Sequence, residues 1–225
     1  GESLSERVLK DKPLLAFLKA LSKANHTLVL QPYISTQAEA DIASQINAIV
    51  NGSPPDLITK VNRKSYLLSL LPELALPIPE YETATSITVV ETAKCLRHQY
   101  GKIIIRGNQS FSGLAVWPIN HQEELDAFEL ELRKCQPNEQ FLVEKQYEVL
   151  CSPNLQFQIN PDTIQELGIN DQILDNKLKY RGNTYPSSAT QLEKIRLDTH
   201  RIGEKLQSQG YRGLLGIDVI ETTDG

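Results

Sequence analysis

The chain has 225 residues, 40 % hydrophobic and 23 % charged, with a formal net charge of -5. These values describe a folded globular protein with a substantial core and exclude a disordered, weakly hydrophobic chain. The acidic balance argues against nucleic acid as a partner, and no apolar run reaches membrane-spanning length.

From Leu4 to Ala24 the apolar residues Leu4, Val8, Leu14, Leu15, Leu18 and Leu21 predict helix, with a break or a start at Pro13. This N-terminus lacks the basic-then-apolar layout of a secretory signal. Thr27–Leu30 reads as a short strand. Thr36–Val50 predicts an amphipathic helix with Ala40, Ala43, Ile46, Ile49 and Val50 on one face, stopped by Asn51–Gly52. Ser53–Pro54–Pro55 reads as a linker and a domain boundary. Asn62 is placed to cap a helix from Arg63 to Leu74, and Pro77–Ile78–Pro79 forces extended chain after it. Ser86 is expected to cap a second helix, Ile87–Tyr100, which Gly101 ends.

Lys102–Arg106 and Leu114–Ile119 follow as strands joined by the polar loop Gly107–Gly113. A helix over His121–Cys135 precedes strands at Phe141–Lys145, Leu155–Ile159 and Thr163–Leu167. A polar loop then covers Asp175–Pro186, a helix Ser188–Gln209, and a last buried strand Leu214–Ile220. Helices alternating with strands indicate an α/β or α+β protein. The turn-like Thr222–Gly225 comes where a partner strand should begin, as expected of a fragment. Cys95, Cys135 and Cys151 have no paired spacing for zinc, and reduced thiols in a cytoplasmic protein account for them.

Four elements can carry chemistry. After Arg106, the loop with Gly107, Ser110, Ser112 and Gly113 reads either as a nest of amides and hydroxyls for phosphate oxygens or as a solvated hairpin. Lys64 opens a helix, where amides and dipole favour an anion; taken alone it is a surface lysine. Phe141–Val143 turning abruptly into Glu144–Lys145 is either a hinge that meets the edge of a purine or a strand reaching solvent. Asp218, within Leu214–Ile220, is costly to bury without a cation, and Mg²⁺ prefers such a hard oxygen ligand. Strand alternation equally allows Asp218 to be exposed beside Gly216 and Ile220. Arg181 and Tyr180, in the later polar loop, are placed either to hold a substrate carboxylate or acyl phosphate, or to lie in an ordinary surface loop.

In combination the layout resembles the ATP-grasp superfamily of carboxylate–amine ligases, over roughly residues 57–225. Lys64 matches its first phosphate cation, Arg106 with Asn108–Gly113 its second phosphate cation and flexible loop, and Val143–Glu144–Lys145 its adenine hinge. Gly210–Tyr211–Arg212–Gly213–Leu214–Leu215–Gly216–Ile217–Asp218 matches the strand that carries its first metal carboxylate. Gln172 and Tyr180–Pro186 look closest to peptide-ligase-like members. The resemblance implies an α+β, two-lobed ATP-grasp-like fold preceded by the remnant of a small α/β domain: residues 1–60 the remnant, 61–142 the small lobe, 143–225 the large lobe.

It also implies ATP and Mg²⁺ as cofactors, with nucleotide contacts at Lys64, Arg106, Ser110, Ser112, Glu144, Lys145, Tyr147 and Asn154. Asp218 is implied as the metal ligand, and Arg106 and Arg181 as catalytic. The implied activity joins a carboxylate, on an amino acid or peptide, to an amine through an acyl phosphate. This sequence departs from the pattern in three places. Arg106 stands where the family usually has Lys, Glu148 and Asn154 compete for the ribose-binding position, and the sequence ends before the place where the family's Glu-x-Asn second metal element belongs. The alternatives are a nucleotide-binding module without catalysis and an α/β scaffold without a nucleotide site.

Overall fold

Asp11 divides the first helical stretch. Its carboxylate accepts from the Leu14 amide at 3.0 Å, so α1 (Leu4–Lys10) stops and α2 (Lys12–Lys23) starts, with Pro13 in the first turn where its missing N–H costs nothing. The computed structural model describes residues 2–24, 27–109 and 115–223. It comprises two compact units, Gly1–Lys60 with Phe157–Leu167 and Gly203–Leu215, and Val61–Gln156 with Gly168–Ile202 and Gly216–Gly225.

In the first unit β1 (Val29–Leu30) pairs parallel with β2 (Ile49–Val50), and between them runs α3 (Gln37–Ile46). Leu15, Ile42 and Ile46 form its core, with Val8, Leu9 and Leu18 packed around them. The helix expected to reach Val50 ends at Ile46 because Asn47 turns left-handed, at φ 55 and ψ 52. The β-branched pair beyond it then joins a strand, and Ile49 is exposed. Ser53–Pro54–Pro55 is not a free linker. The Ser53 hydroxyl donates to the Arg212 carbonyl at 2.9 Å and accepts from the Arg212 amide at 2.7 Å, and Pro55 opens α4 (Pro55–Val61). Beside them Gly213, at φ +101, leaves no room for a side chain: a Cβ would lie 3.0 Å from the Gly52 Cα.

The second unit begins with α5 (Lys64–Glu73), β3 (Tyr81–Thr85) and α6 (Val89–Tyr100). There follow β4 (Ile103–Gly107), β5 (Val116–Ile119), α7 (Gln122–Leu132) and β6 (Gln140–Lys145). The strands form an antiparallel sheet in the order β3-β6-β4-β5. One face of it, with Ile103, Ile105, Phe141 and Val143, packs against Val89, Ala93 and Leu96 of α6 and Leu125 and Phe128 of α7. Each such fully buried side chain contributes about 1.5–3 kcal/mol. Trp117 stacks edge-on to Phe128 at 5.0 Å.

Two predicted caps are replaced. Arg63, not Asn62, occupies the N-cap of α5 and makes no side-chain bond. The helix is instead held from the residue after β4, where Asn108 Oδ1 accepts from the Ser65 amide at 3.0 Å and the Asn108 carbonyl from the Lys64 amide at 3.1 Å. Ser86 accepts from the Asn138 amide at 3.0 Å, leaving Thr88 at the N-cap of α6.

The remaining elements are β7 (Val149–Cys151), β8 (Pro153–Ile159), β9 (Ile164–Leu174), β10 (Tyr180–Thr184), α8 (Leu192–Ser208), β11 (Gly213–Asp218) and β12 (Glu221–Thr222). Their strands give a four-stranded sheet, β10-β9-β8-β11, and the pair β12-β7. The loop expected over Asp175–Pro186 is largely a hairpin. Asp175 accepts from the Lys177 and Lys179 amides at 2.8 and 3.0 Å, closing a turn with Leu178 at φ 58. Nor does α8 reach back to Ser188. Ser187 and Ser188 donate to Asp171 at 2.5–2.7 Å, and the Thr190 amide donates to Glu221 at 2.8 Å, so the backbone there is committed elsewhere. β11 is buried only on alternate residues, with Leu214, Gly216 and Asp218 on its exposed side.

Candidate functional site

Alternation along β4 and β6 sends Ile104, Arg106, Leu142 and Glu144 to the sheet face opposite the helices. There the Arg106 Nε lies 3.3 Å from Glu144 Oε2, an ion pair too poorly aligned to be a hydrogen bond; among the described residues the buried Nε has no hydrogen-bond partner. Lys64, at the first turn of α5, donates from Nζ to the Gly107 carbonyl at 3.1 Å. Its ammonium pKa is lowered, first by burial and then by Arg106, against the opposing pull of Glu144. Burial raises the Glu144 carboxyl, and Arg106 and then Lys64 pull it back. Two cations around one buried carboxylate leave an excess of positive charge at a helix start, with one guanidinium nitrogen that no described residue bonds. That arrangement favours an anion with several oxygens.

The same alternation separates Lys145 from Glu144. The Lys145 ammonium lies on the helix side, 4.7 Å from the Tyr147 ring centroid and 5.9 Å from that of Tyr100. Tyr147 Oη accepts from the Glu80 amide at 2.9 Å and Tyr100 Oη donates to Glu80 Oε2 at 3.3 Å, so the chain leaving β6 is fastened from both sides.

A second grouping surrounds Asp218. Its Oδ1 accepts from Asn154 Nδ2 at 2.7 Å and from Gln172 Nε2, which brings together residues of β8, β9 and β11. Asn154 is thus engaged with Asp218, while Glu148 is exposed. Among the described residues no group of three or more His, Cys, Asp and Glu side chains could hold a metal, so a cation at Asp218 would need oxygens from elsewhere. Arg181 lies in the hairpin, paired with Asp175 at 2.6 Å. The Lys179 amide, with Arg181 and the Lys177 amide, pulls the Asp175 carboxyl down to about 2. Ser110 and Ser112 lie outside the described residues. No helix of the described chain is long and apolar enough to cross a membrane.

Three organising residues escaped the sequence reading. Asn108 joins α5 to β4, and Asp171 and Glu221 hold the segment 187–190. The sequence reading set Asn108 in the flexible loop, whereas it is buried and bonded to α5; Asp171 and Glu221 gave no local signal, since their partners are distant in sequence.

A family model described as ATP-grasp domain matches residues 61–225. The chain belongs to that family. Lys64, Arg106, Glu144 and Asp218 all fall within the ATP-grasp match, and the mixed helices and antiparallel sheets form its α+β fold. The chain is also similar to the [butirosin acyl-carrier protein]–L-glutamate ligase of Niallia circulans, 27 % identical over 128 residues, covering 56 % of this chain and 30 % of that one. It therefore spans less than a third of that relative.

Among solved structures, this ATP-grasp chain resembles the D-alanyl-alanine synthetase A of Vibrio cholerae, at a TM-score of 0.68 and 14 % identity over 88 % of this chain and 64 % of that one. It also resembles the biotin carboxylase domain of Hydrogenobacter thermophilus 2-oxoglutarate carboxylase, a complex with MgADP, ADP and bicarbonate. There the TM-score is 0.70 and the identity 14 %, over 100 % of this chain and 51 % of that one. At such identities the likeness is one of fold.

Proposed function

We propose that this ATP-grasp chain is part of an ATP- and Mg²⁺-dependent ligase joining a carboxylate, on an amino acid or peptide, to an amine. The observation that carries the reading is the meeting of Lys64 and Arg106 around Glu144 on one face of β4 and β6. The Niallia circulans relative is itself a ligase. In the proposed reaction a carboxylate oxygen attacks the terminal phosphorus of ATP, the bond to the bridging oxygen breaks, and ADP leaves. The amine nitrogen then attacks the acyl carbon, phosphate departs with the former carboxylate oxygen, and the nitrogen loses a proton.

Little covalent chemistry falls to the protein in such a scheme, so position and charge supply most of the rate. Lys64 and Arg106 would bind phosphate oxygens, with Arg106 offering a bidentate fork, and Ser110 and Ser112 would add hydroxyl donors. The backbone of Glu144–Lys145 would meet the adenine edge; Lys145, Tyr147 and Asn154 would complete the nucleotide contacts, and Arg181 would hold the substrate carboxylate or the acyl phosphate. Asp218 suits Mg²⁺ because it is an exposed hard oxygen ligand with one oxygen already oriented, and the nucleotide phosphates can supply further ligands. When bound, Mg²⁺ neutralises phosphate charge. We assign residues 1–60 to a preceding α/β piece, 61–142 to the smaller lobe and 143–225 to the larger.

Thermal denaturation with ATP, with and without Mg²⁺, tests the reading. ATP at about a hundred times its dissociation constant stabilises by roughly 2.7 kcal/mol. A magnesium-dependent rise in Tm that Arg106→Ala largely removes is the expected result; no rise would refute a nucleotide site. A rise without ADP release across carboxylate–amine pairs would favour the non-catalytic module.

A further inference from the structure

We infer that Asn154 and Gln172 are positioning residues for Asp218, turning its carboxylate so that one oxygen is held and the other is left for a cation. The inference rests on the metal reading above and extends it to two side chains. Asn154 Nδ2 donates to Asp218 Oδ1 at 2.7 Å, and Gln172 Nε2 donates to that same oxygen. Gln156 Nε2 in turn donates to Asn154 Oδ1 at 3.4 Å, which fixes the direction in which the Asn154 amide points. Gly216, two residues before Asp218 on the exposed side of β11, adjoins the pair: a Cβ there would meet Asn154 Nδ2 at 3.4 Å.

The donor chemistry is specific to the task. Lysine or arginine at either position would orient Asp218 equally well, but would place a positive charge where a divalent cation must approach. Carboxamides donate without charge and do not titrate, so they hold Oδ1 without competing for Oδ2. Hydrogen bonds to a ligating carboxylate characteristically matter to metal affinity even though their owners never touch the metal.

The test uses Mn²⁺ as a paramagnetic probe on the 225-residue chain with ADP, reading Mn²⁺ affinity by electron paramagnetic resonance. Asn154→Leu and Gln172→Leu are each expected to weaken Mn²⁺ binding roughly tenfold to a hundredfold. For Gln172→Leu, which lies outside the nucleotide contacts assigned above, ADP affinity without metal and the Tm of the metal-free protein should stay unchanged, which a merely structural role would not produce. Gln172→Lys should weaken Mn²⁺ at least as much while preserving a donor to Asp218. Asp218→Asn separates the two levels of the argument. If it weakens Mn²⁺ and the leucine variants do not, the positioning role is overturned and the metal reading stands. If neither it nor the leucine variants change Mn²⁺ binding, or the unaltered chain binds none, the metal reading fails and the positioning role falls with it.

Discussion

Replacing Asn108 by alanine removes two bonds at a buried junction. Asn108 is 5 % exposed; its Oδ1 receives the Ser65 amide at 3.0 Å and its Nδ2 donates to Gln140 Oε1 at 2.9 Å. Losing the first uncaps α5, at a cost of about 1 kcal/mol. Losing the second forfeits a part-buried side-chain hydrogen bond, about another 1 kcal/mol. Together they destabilise by roughly 2 kcal/mol, which for a chain of this size lowers Tm by about 4–8 °C. Asn108→Asp keeps an acceptor for the Ser65 amide but sets a carboxylate against Gln140 Oε1, so it should recover the capping half. Because Lys64 follows the N-cap and bonds to Gly107, the alanine variant should also bind ATP more weakly than its stability loss alone explains. Scanning calorimetry with and without MgATP measures both effects. An Asn108→Ala chain melting within about 1 °C of the parent would refute the claim that β4 holds the start of α5.

Asp171→Asn should cost roughly 3 kcal/mol, since Ser187 and Ser188 present donors to a carboxylate and the amide would return one of its own; urea midpoints measure it, and a loss under about 1 kcal/mol would count against the pinning role. Burial, reinforced by the hydrogen bond to Glu221, pushes the Cys151 thiol up to about 11. At pH 8 it should therefore react with a disulfide reagent on the order of a hundredfold more slowly than a free thiol, while exposed Cys95 labels promptly. Prompt labelling of both would contradict the environment described. Burial raises the Glu144 carboxyl above its ordinary range despite Arg106 and Lys64. Its contribution to stability is then fully present below the unfolded carboxylate pKa and is lost as pH rises through the raised value. The parent should gain more stability than Glu144→Gln between pH 7 and pH 5, and an equal gain in both would refute the raised carboxyl.

Periodicity and punctuation made much of the fold legible. Gly101, at φ 80, ends α6 where expected, and the apolar run before Glu144 is a buried strand. β4 and β5 fall within a residue or two of the short apolar runs that predicted them. What the sequence concealed depends on partners far along the chain. Tyr81–Thr85 is a strand because it pairs with Phe141 and its neighbours, not because Tyr-Glu-Thr-Ala-Thr is strongly apolar. Asn62 looked like a cap, but Asn108 reaches the helix from β4. At the site, the cations and carboxylates were visible as residue types. Their company was not: nothing local says that Lys145 turns to two tyrosines while Glu144 turns to Arg106, until β6 is placed in its sheet.

The lock between Ser53, Gly52 and residues 212–213 bears on how this molecule can be cut. Homology draws a border at residue 61. A truncation there would strip the Arg212 backbone of its Ser53 bonds and uncover a seam at Gly213 contoured to receive bare glycine backbone. Engineers seeking a minimal folded piece should therefore retain the first sixty residues as scaffold, although the family match begins only after them.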